Sequence, residues 1–192
     1  MLRPLRTVAP LSSLLDLEEV KRHLNVDHSD DDELVSAYID AATAHFDGYS
    51  GILGRCLISQ TWVQKFHCWP ACGMRLAFPD VQSVEIAYFD PQNVSQTLSA
   101  STYRLIEGAS GSYVEWDQQF ASPSIYDRAD AISVTMVCGY GTSDTDVPAS
   151  ISIAAKMLVA HLYENREAAG AALSETPFGV MALVSPYRRI GL

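Results

Sequence analysis

Hydrophobic positions along the chain change period twice, and the changes divide it into three stretches. Met1 to Ser12 carries Pro4 and Pro10 and reads as an extended arm. From Ser13 to Leu24, Leu14, Leu17, Val20 and Leu24 keep helical spacing, with Asp16, Glu18 and Glu19 near the positive end of the helix. Asn25 to Ser29 is a turn. A second helix is predicted from about Asp31 to Tyr49, with Ser29 or Asp30 as its N-cap and Glu33 at capping-box distance from Asp30. Leu34, Tyr38, Ala41 and His45 form one stripe, and Val35, Ile39, Ala42 and Phe46 the adjacent one. That breadth of apolar surface fits a core helix, ended by Gly48, Gly51 and Gly54.

From Arg55 to about Gly141 the period shortens to two. Ile58, Trp62 and Phe66 are interleaved with Gln60 and Gln64, and Val84, Ile86 and Tyr88 stop at the turn Asp90-Pro91-Gln92-Asn93. Tyr103–Ile106 and Tyr113–Trp116 flank Gly108-Ala-Ser-Gly111, a hairpin connection. Ile132, Val134, Met136 and Cys138 alternate with Ser133 and Thr135, the clearest strand in the chain. Short turns between strands require antiparallel neighbours, so one sheet of about five or six strands is expected.

The period then lengthens again over Val147–Glu167. Pro148 suits a first helical turn, with Asp144 or Asp146 as cap. Ile151, Ala154, Ala155, Leu158 and Leu162 fall on one face; Ile153, Met157 and Ala160 make a second apolar patch roughly opposite. A helix apolar on two faces packs between two neighbours, and the second can be another subunit. Ala168–Thr176 reads as a loop and Phe178–Val184 as a last short helix, followed by Pro186-Tyr187-Arg188-Arg189. The order helix, helix, sheet, helix, tail predicts an α+β fold: a small core of three to four helices with an inserted antiparallel β subdomain. The expected divisions are 1–54 for the arm and first two helices, 55–141 for the β insertion, and 142–192 for the long helix and tail.

Length and charge narrow this picture. At 192 residues the chain can bury one substantial core, or one core with an inserted subdomain. The net charge of −10 and the lack of any Lys/Arg run argue against binding to free nucleic acid, whose affinity comes largely from phosphate neutralisation. No apolar run reaches the length of about 18 residues needed for a spanning helix, so no membrane partner is expected. The start of the chain has two arginines but no continuous apolar segment, so no signal peptide is expected and the four cysteines default to thiols.

Candidate chemistry is sparse. His67, Cys68 and Cys72 are zinc-ligand types, but a structural site takes four ligands and the fourth would have to be Cys56 or Cys138. A turn with small buried thiols explains them more simply. The acidic run Asp27–Glu33 lacks the sixth-position glycine and twelfth-position carboxylate of an EF-hand loop, since Asp32 and Tyr38 stand there. Gly108–Gly111 is not a nucleophile elbow, and Gly139-Tyr140-Gly141 lacks the lysine of a phosphate loop. His45 and His161 lie on or beside apolar helix faces. Neither catalytic residues nor a cofactor are expected. An alternative is a small ligand-binding module on the β insertion, with Trp62, Trp69 and Trp116 lining its pocket.

The ordered set of motifs resembles a known family. Leu17-Glu-Glu-Val-Lys-Arg-His-Leu24, an acidic turn and a helix ending Tyr49-Ser-Gly-Ile-Leu-Gly-Arg55 look like the opening of phage head–tail connector, or adaptor, proteins. The likeness continues in Gln60-Thr61-Trp62, Cys138-Gly-Tyr-Gly141 before Val147-Pro148, His161-Leu-Tyr-Glu-Asn-Arg-Glu167 and Ala182-Leu-Val-Ser-Pro-Tyr-Arg188. It is similar to longer members with a β insertion, some of which serve gene transfer agents. The resemblance implies a non-enzymatic ring in the virion, at the head–tail junction, usually of twelve copies. Such a ring lies beneath the portal protein, extends the channel through which double-stranded DNA passes without specific binding, and receives a stopper or tail-completion protein. Ile153, Met157 and Ala160 would then form the ring interface, and Tyr187, Arg188 and Arg189 would dock on the portal or an adjoining subunit.

Overall fold

A computed structural model of the chain describes residues 2–166 and 178–189. The loop expected over Ala168–Thr176 lies outside the described residues. The fold is α+β, and it divides into two compact units. One, here the helical unit, takes the described residues of Ser12–Ile58 and Tyr140–Arg188; the other, the β unit, takes those of Met1–Leu11, Ser59–Gly139 and Arg189–Leu192.

The helical unit contains α1 (Leu17–Leu24), α2 (Asp32–Phe46), α3 (Ala149–Glu164) and α4 (Phe178–Val184). Asp16 is the N-cap of α1, accepting the Glu19 N–H at 3.1 Å, and Asn25 ends the helix in the left-handed region. The inner stripe of α2, Val35, Ile39, Ala42 and Phe46, packs with Ile151, Ala154, Ala155 and Leu158 of α3 into one apolar core. Two expectations for these helices change. Helix α2 begins one residue later than expected, at Asp32, and its N-cap residue Asp31 makes no side-chain capping bond. The Asp31 carboxylate is taken instead by the end of α3, accepting from the Tyr163 hydroxyl at 2.6 Å and the Arg166 guanidinium at 2.8 Å. The Tyr163 hydroxyl first, and then Arg166, hold this carboxyl below its ordinary range. Before α3 the capping falls one turn early: Ser143 and Asp146 close a capping box around the 3-10 turn Asp144–Asp146. Two carboxylates of the acidic run are thus engaged within the fold, since Asp32 also pairs at 2.6 Å with the buried Lys21.

The β unit contains β1 (Leu5–Val8), β2 (Gln60–Phe66), β3 (Met74–Arg75), β4 (Val81–Phe89), β5 (Ser95–Thr97), β6 (Tyr103–Gly108), β7 (Gly111–Trp116) and β8 (Ile132–Cys138). All pair antiparallel, but in two sheets rather than the single one expected: a five-stranded sheet β1-β2-β8-β4-β5 and a three-stranded sheet β3-β7-β6. Burial explains the difference. Both β2 and β8 alternate buried with half-buried positions along their length, so one face of the larger sheet needs a cover. The β6–β7 hairpin and the chain from Met74 to Phe78 supply it, and Trp62 of the larger sheet meets Phe78 with ring centres 4.8 Å apart. Gln60 and Gln64 share the buried face with Trp62 and Phe66. Gln64 is satisfied by accepting the Ala77 N–H at 2.8 Å and donating to the Arg75 carbonyl at 3.3 Å, which stitches the two layers together. The start of the chain also differs from the expected arm, because Leu5–Val8 adds to β2 as an edge strand.

At the far end of the larger sheet, Asp130 accepts from the Arg128 guanidinium at 2.6 Å and from Lys65 at 3.0 Å. Arg128 foremost, with Lys65, lowers its pKa to about 2. In the unfolded chain an aspartate titrates near about 3.9. The folded value is the lower one, so the contribution of Asp130 is complete above about pH 4 and is lost as pH falls toward 2. Urea titrations of the wild type and Asp130→Asn at a series of pH values should show a stability gap that is constant above pH 5 and closes between pH 4 and 2. A gap unchanged at pH 2 would contradict the pairing.

Candidate functional site

The inner face of α3 is sealed: Ile151, Ala154, Ala155, Leu158 and Val159 are buried. Its outer face is uneven. Ile153 is 48% exposed, whereas Met157 and Ala160 are half-buried. Helix α4 passes over Met157 at Gly179, where an added Cβ would meet the Met157 methyl at 3.1 Å. Of the three residues expected on an outer face, Ile153 is the open one, and Met157 is covered in part by this chain's own α4. The neighbour of Gly179, Phe178, is 88% exposed. Reading the sequence did not single out Phe178, yet the signal is present: Val180 and Val184 are the buried pair of α4, and Phe178 lies two positions before Val180, off their face.

The three tail residues do not act together either. Tyr187 is half-buried against the helical core, and Arg188 is exposed. Arg189 belongs to the β unit, where its guanidinium donates to the carbonyl of Ala77 and, at 3.2 Å, to that of Leu76. It lies flat beside Gly111, whose φ of 112° and missing Cβ leave the room: a Cβ there would come within 3.2 Å of the guanidinium. The fork geometry of Arg189 is thereby used within the chain.

The other candidates disperse. His67, Cys68 and Cys72 are exposed, while Cys56 and Cys138 are buried. Among the described residues no group of three or more His, Cys, Asp or Glu is placed to hold a metal ion. The tryptophans do not converge on one pocket. Trp62 is buried between the layers, while Trp69 and Trp116 stand 5.7 Å apart in a cluster with Phe120, which stacks on Trp116 at 4.4 Å. Their indole N–H groups are already bonded, Trp69 to the Pro123 carbonyl at 2.9 Å and Trp116 to that of Pro70 at 2.8 Å. His45 packs edge-on to Phe46 at 5.2 Å, and His161 Nδ1 lies 3.3 Å from the Asn165 amide. Among the described residues no helix is long and apolar enough to cross a membrane.

Comparison with known proteins adds to this geometry. No curated protein matches the chain. Among solved structures, the chain is similar to one from the neck of an empty GTA particle computed with C6 symmetry and to one from the virion of a native gene transfer agent (GTA) particle. Both give a TM-score of 0.80 at 23% identity, over 100% of this chain and 97% of theirs. A third, from the neck of a native GTA particle computed with C12 symmetry, gives 0.74 at 23% identity over 97% of each chain. At that identity the likeness is one of fold, and it runs the full length, β unit included. Residues 15–188 match the phage gp6-like head-tail connector proteins, and the chain belongs to that family.

Proposed function

We propose that the chain is a structural subunit of the junction between a virion head and its tail. Copies would form a ring, of twelve subunits, beneath the portal protein, extend the DNA channel, and receive a stopper or tail-completion protein. Family membership over residues 15–188 is the observation that carries this reading. The similar chains from GTA necks computed with C12 and C6 symmetry support copies arranged about an axis. The net charge of −10 suits a conduit in which DNA slides without adhering. Ile153 is the open contact point on α3, with Met157 and Ala160 behind it, and exposed Arg188 is the best-placed tail residue for a partner.

Electron micrographs of particles made with and without the protein test the reading. Without it, filled heads should lack a layer under the portal and remain tailless; normally tailed particles would end the proposal. In particles carrying Arg188→Glu, joining of heads to tails should fall while the protein still folds. Joining at the wild-type level would remove the tail's docking role.

A further inference from the structure

Four half-buried aromatic side chains of the β unit meet at one place: Trp69 after β2, Tyr88 of β4, Trp116 of β7 and Phe120 beyond it. Trp69 is the hub, edge-on to Tyr88 at 5.6 Å and to Trp116 and Phe120 at 5.7 Å each, while Phe120 stacks on Trp116 at 4.4 Å. Bonds from the two indoles to the Pro123 and Pro70 carbonyls fix the cluster to the loops around it. An open cleft of about 430 Å³ adjoins the cluster, within the size range of small-molecule sites. Tyr88 and Phe120 give the cleft an apolar wall, and Thr97, Asp117 and Gln119 give it a polar rim. Stacking on Trp116 takes up one face of the Phe120 ring, and the residue is still in the wall of the cleft.

The chain itself makes little use of this rim. Among the described residues, the Tyr88 and Thr97 hydroxyls and the Gln119 side-chain amide make no hydrogen bond. Asp117 accepts one N–H, that of Gln119 at 3.1 Å on Oδ1, and its Oδ2 stands 3.8 Å from Arg104. A planar carboxylate and a planar amide beside two hydroxyls offer paired acceptors and donors, which suit neighbouring hydroxyl groups on a ligand. The aromatic wall offers a flat apolar surface. A pyranose presents both partners: hydroxyls around its edge and a face of C–H groups. Charge and shape exclude other small ligands. Among the described residues no Lys, Arg or His lines the cleft, so nothing there neutralises a phosphate or carboxylate. The rings pack on one another and not around a gap, so they form no cage for a quaternary ammonium. We propose that this cleft binds a neutral pyranose sugar, laid against Phe120 and held at its hydroxyls by Tyr88, Thr97, Asp117 and Gln119. All of these residues lie within the β unit, and the activity is additional to the connector role and independent of it.

Saturation-transfer NMR of the full chain with methyl pyranosides of the gluco, galacto, manno, xylo and fuco series tests this. At least one should bind with a Kd of about 1 mM, the level expected for a ligand of about 13 heavy atoms. Saturation should be strongest at the hydrogens of one ring face. Asp117→Asn/Gln119→Ala should weaken that binding at least about tenfold. Its near-UV circular dichroism should match the wild type, showing the aromatic cluster intact; Tyr88→Phe/Thr97→Ala, which keeps every ring, replaces it if the spectrum changes. A tetrasaccharide of the bound sugar separates the two sources of this chemistry. Tighter binding than the methyl glycoside means a polysaccharide, equal binding means a free sugar, and either supports the proposal. Three results overturn it: no saturation of any of these glycosides at about 50 mM, binding undiminished in both double variants, or a proline-rich peptide or choline bound at the cleft where every sugar fails.

Discussion

Phe78→Ala should destabilise the β unit by about 3–5 kcal/mol, the usual range for emptying a large aromatic site. Phe78 is fully buried, and its ring meets Trp62 at 4.8 Å across the two layers. Alanine there removes the transfer energy of the ring and leaves a cavity roofed by two sheets, which close poorly because their strands are tied by ladder bonds. Against a total stability of about 5–15 kcal/mol for a typical domain, that is a large fraction. All three tryptophans lie in the β unit, so urea unfolding followed by tryptophan fluorescence reads it directly. A loss under about 1 kcal/mol would mean that the layers repack around the gap and that Phe78 is not the contact described.

Gly51→Ala should be the most damaging small substitution in the helical unit, with a loss at or above the upper end of about 1–3 kcal/mol for forced overpacking. A Cβ at Gly51 would lie 2.4 Å from the Asp47 carbonyl oxygen and 2.5 Å from the carbonyl carbon and oxygen of Phe46. These are backbone atoms at the end of α2, and Phe46 is fully buried, so nothing there can swing aside. The return of the chain is pinned further by the Ile52 N–H donating to the His45 carbonyl at 2.8 Å. A loss of that size corresponds to a fall in Tm of roughly 6–12 °C for a chain of this length, measurable by circular dichroism at 222 nm. Gly179→Ala is the internal comparison, since among the described residues its Cβ would meet only the flexible end of Met157. Equal effects for the two glycines would contradict the close approach at Gly51.

The helices were legible because each carries its own signal. The 3.6-residue spacing of Val35, Ile39, Ala42 and Phe46, and of Ile151, Ala154, Ala155 and Leu158, marks the faces that are buried. The same is true of the hairpin at Gly108–Gly111 and of the turn at Asp90, whose carboxylate accepts the Gln92 and Val94 N–H groups, each at 3.0 Å. The surroundings of the proposed interface residues were legible only in part. Periodicity assigns Ile153, Met157 and Ala160 to one patch but does not show that α4 lies over Met157, because that depends on where a distant segment packs. Tyr187 and Arg189 have interface chemistry, yet that chemistry is used within the chain on the helical core and on the carbonyls of Leu76 and Ala77.

By itself, then, the order of residues determined the α+β class, the four helices, the main strands and the family, since all of these rest on local spacing and on ordered motifs. Tertiary structure alone decided that the strands form two layers, that Asp31 serves α3 rather than capping α2, and that a bulge turns Leu5 and Val8 to one side of a sheet. Those outcomes depend on partners that lie tens of residues away in sequence, and local patterning carries no record of which distant surface a side chain will meet.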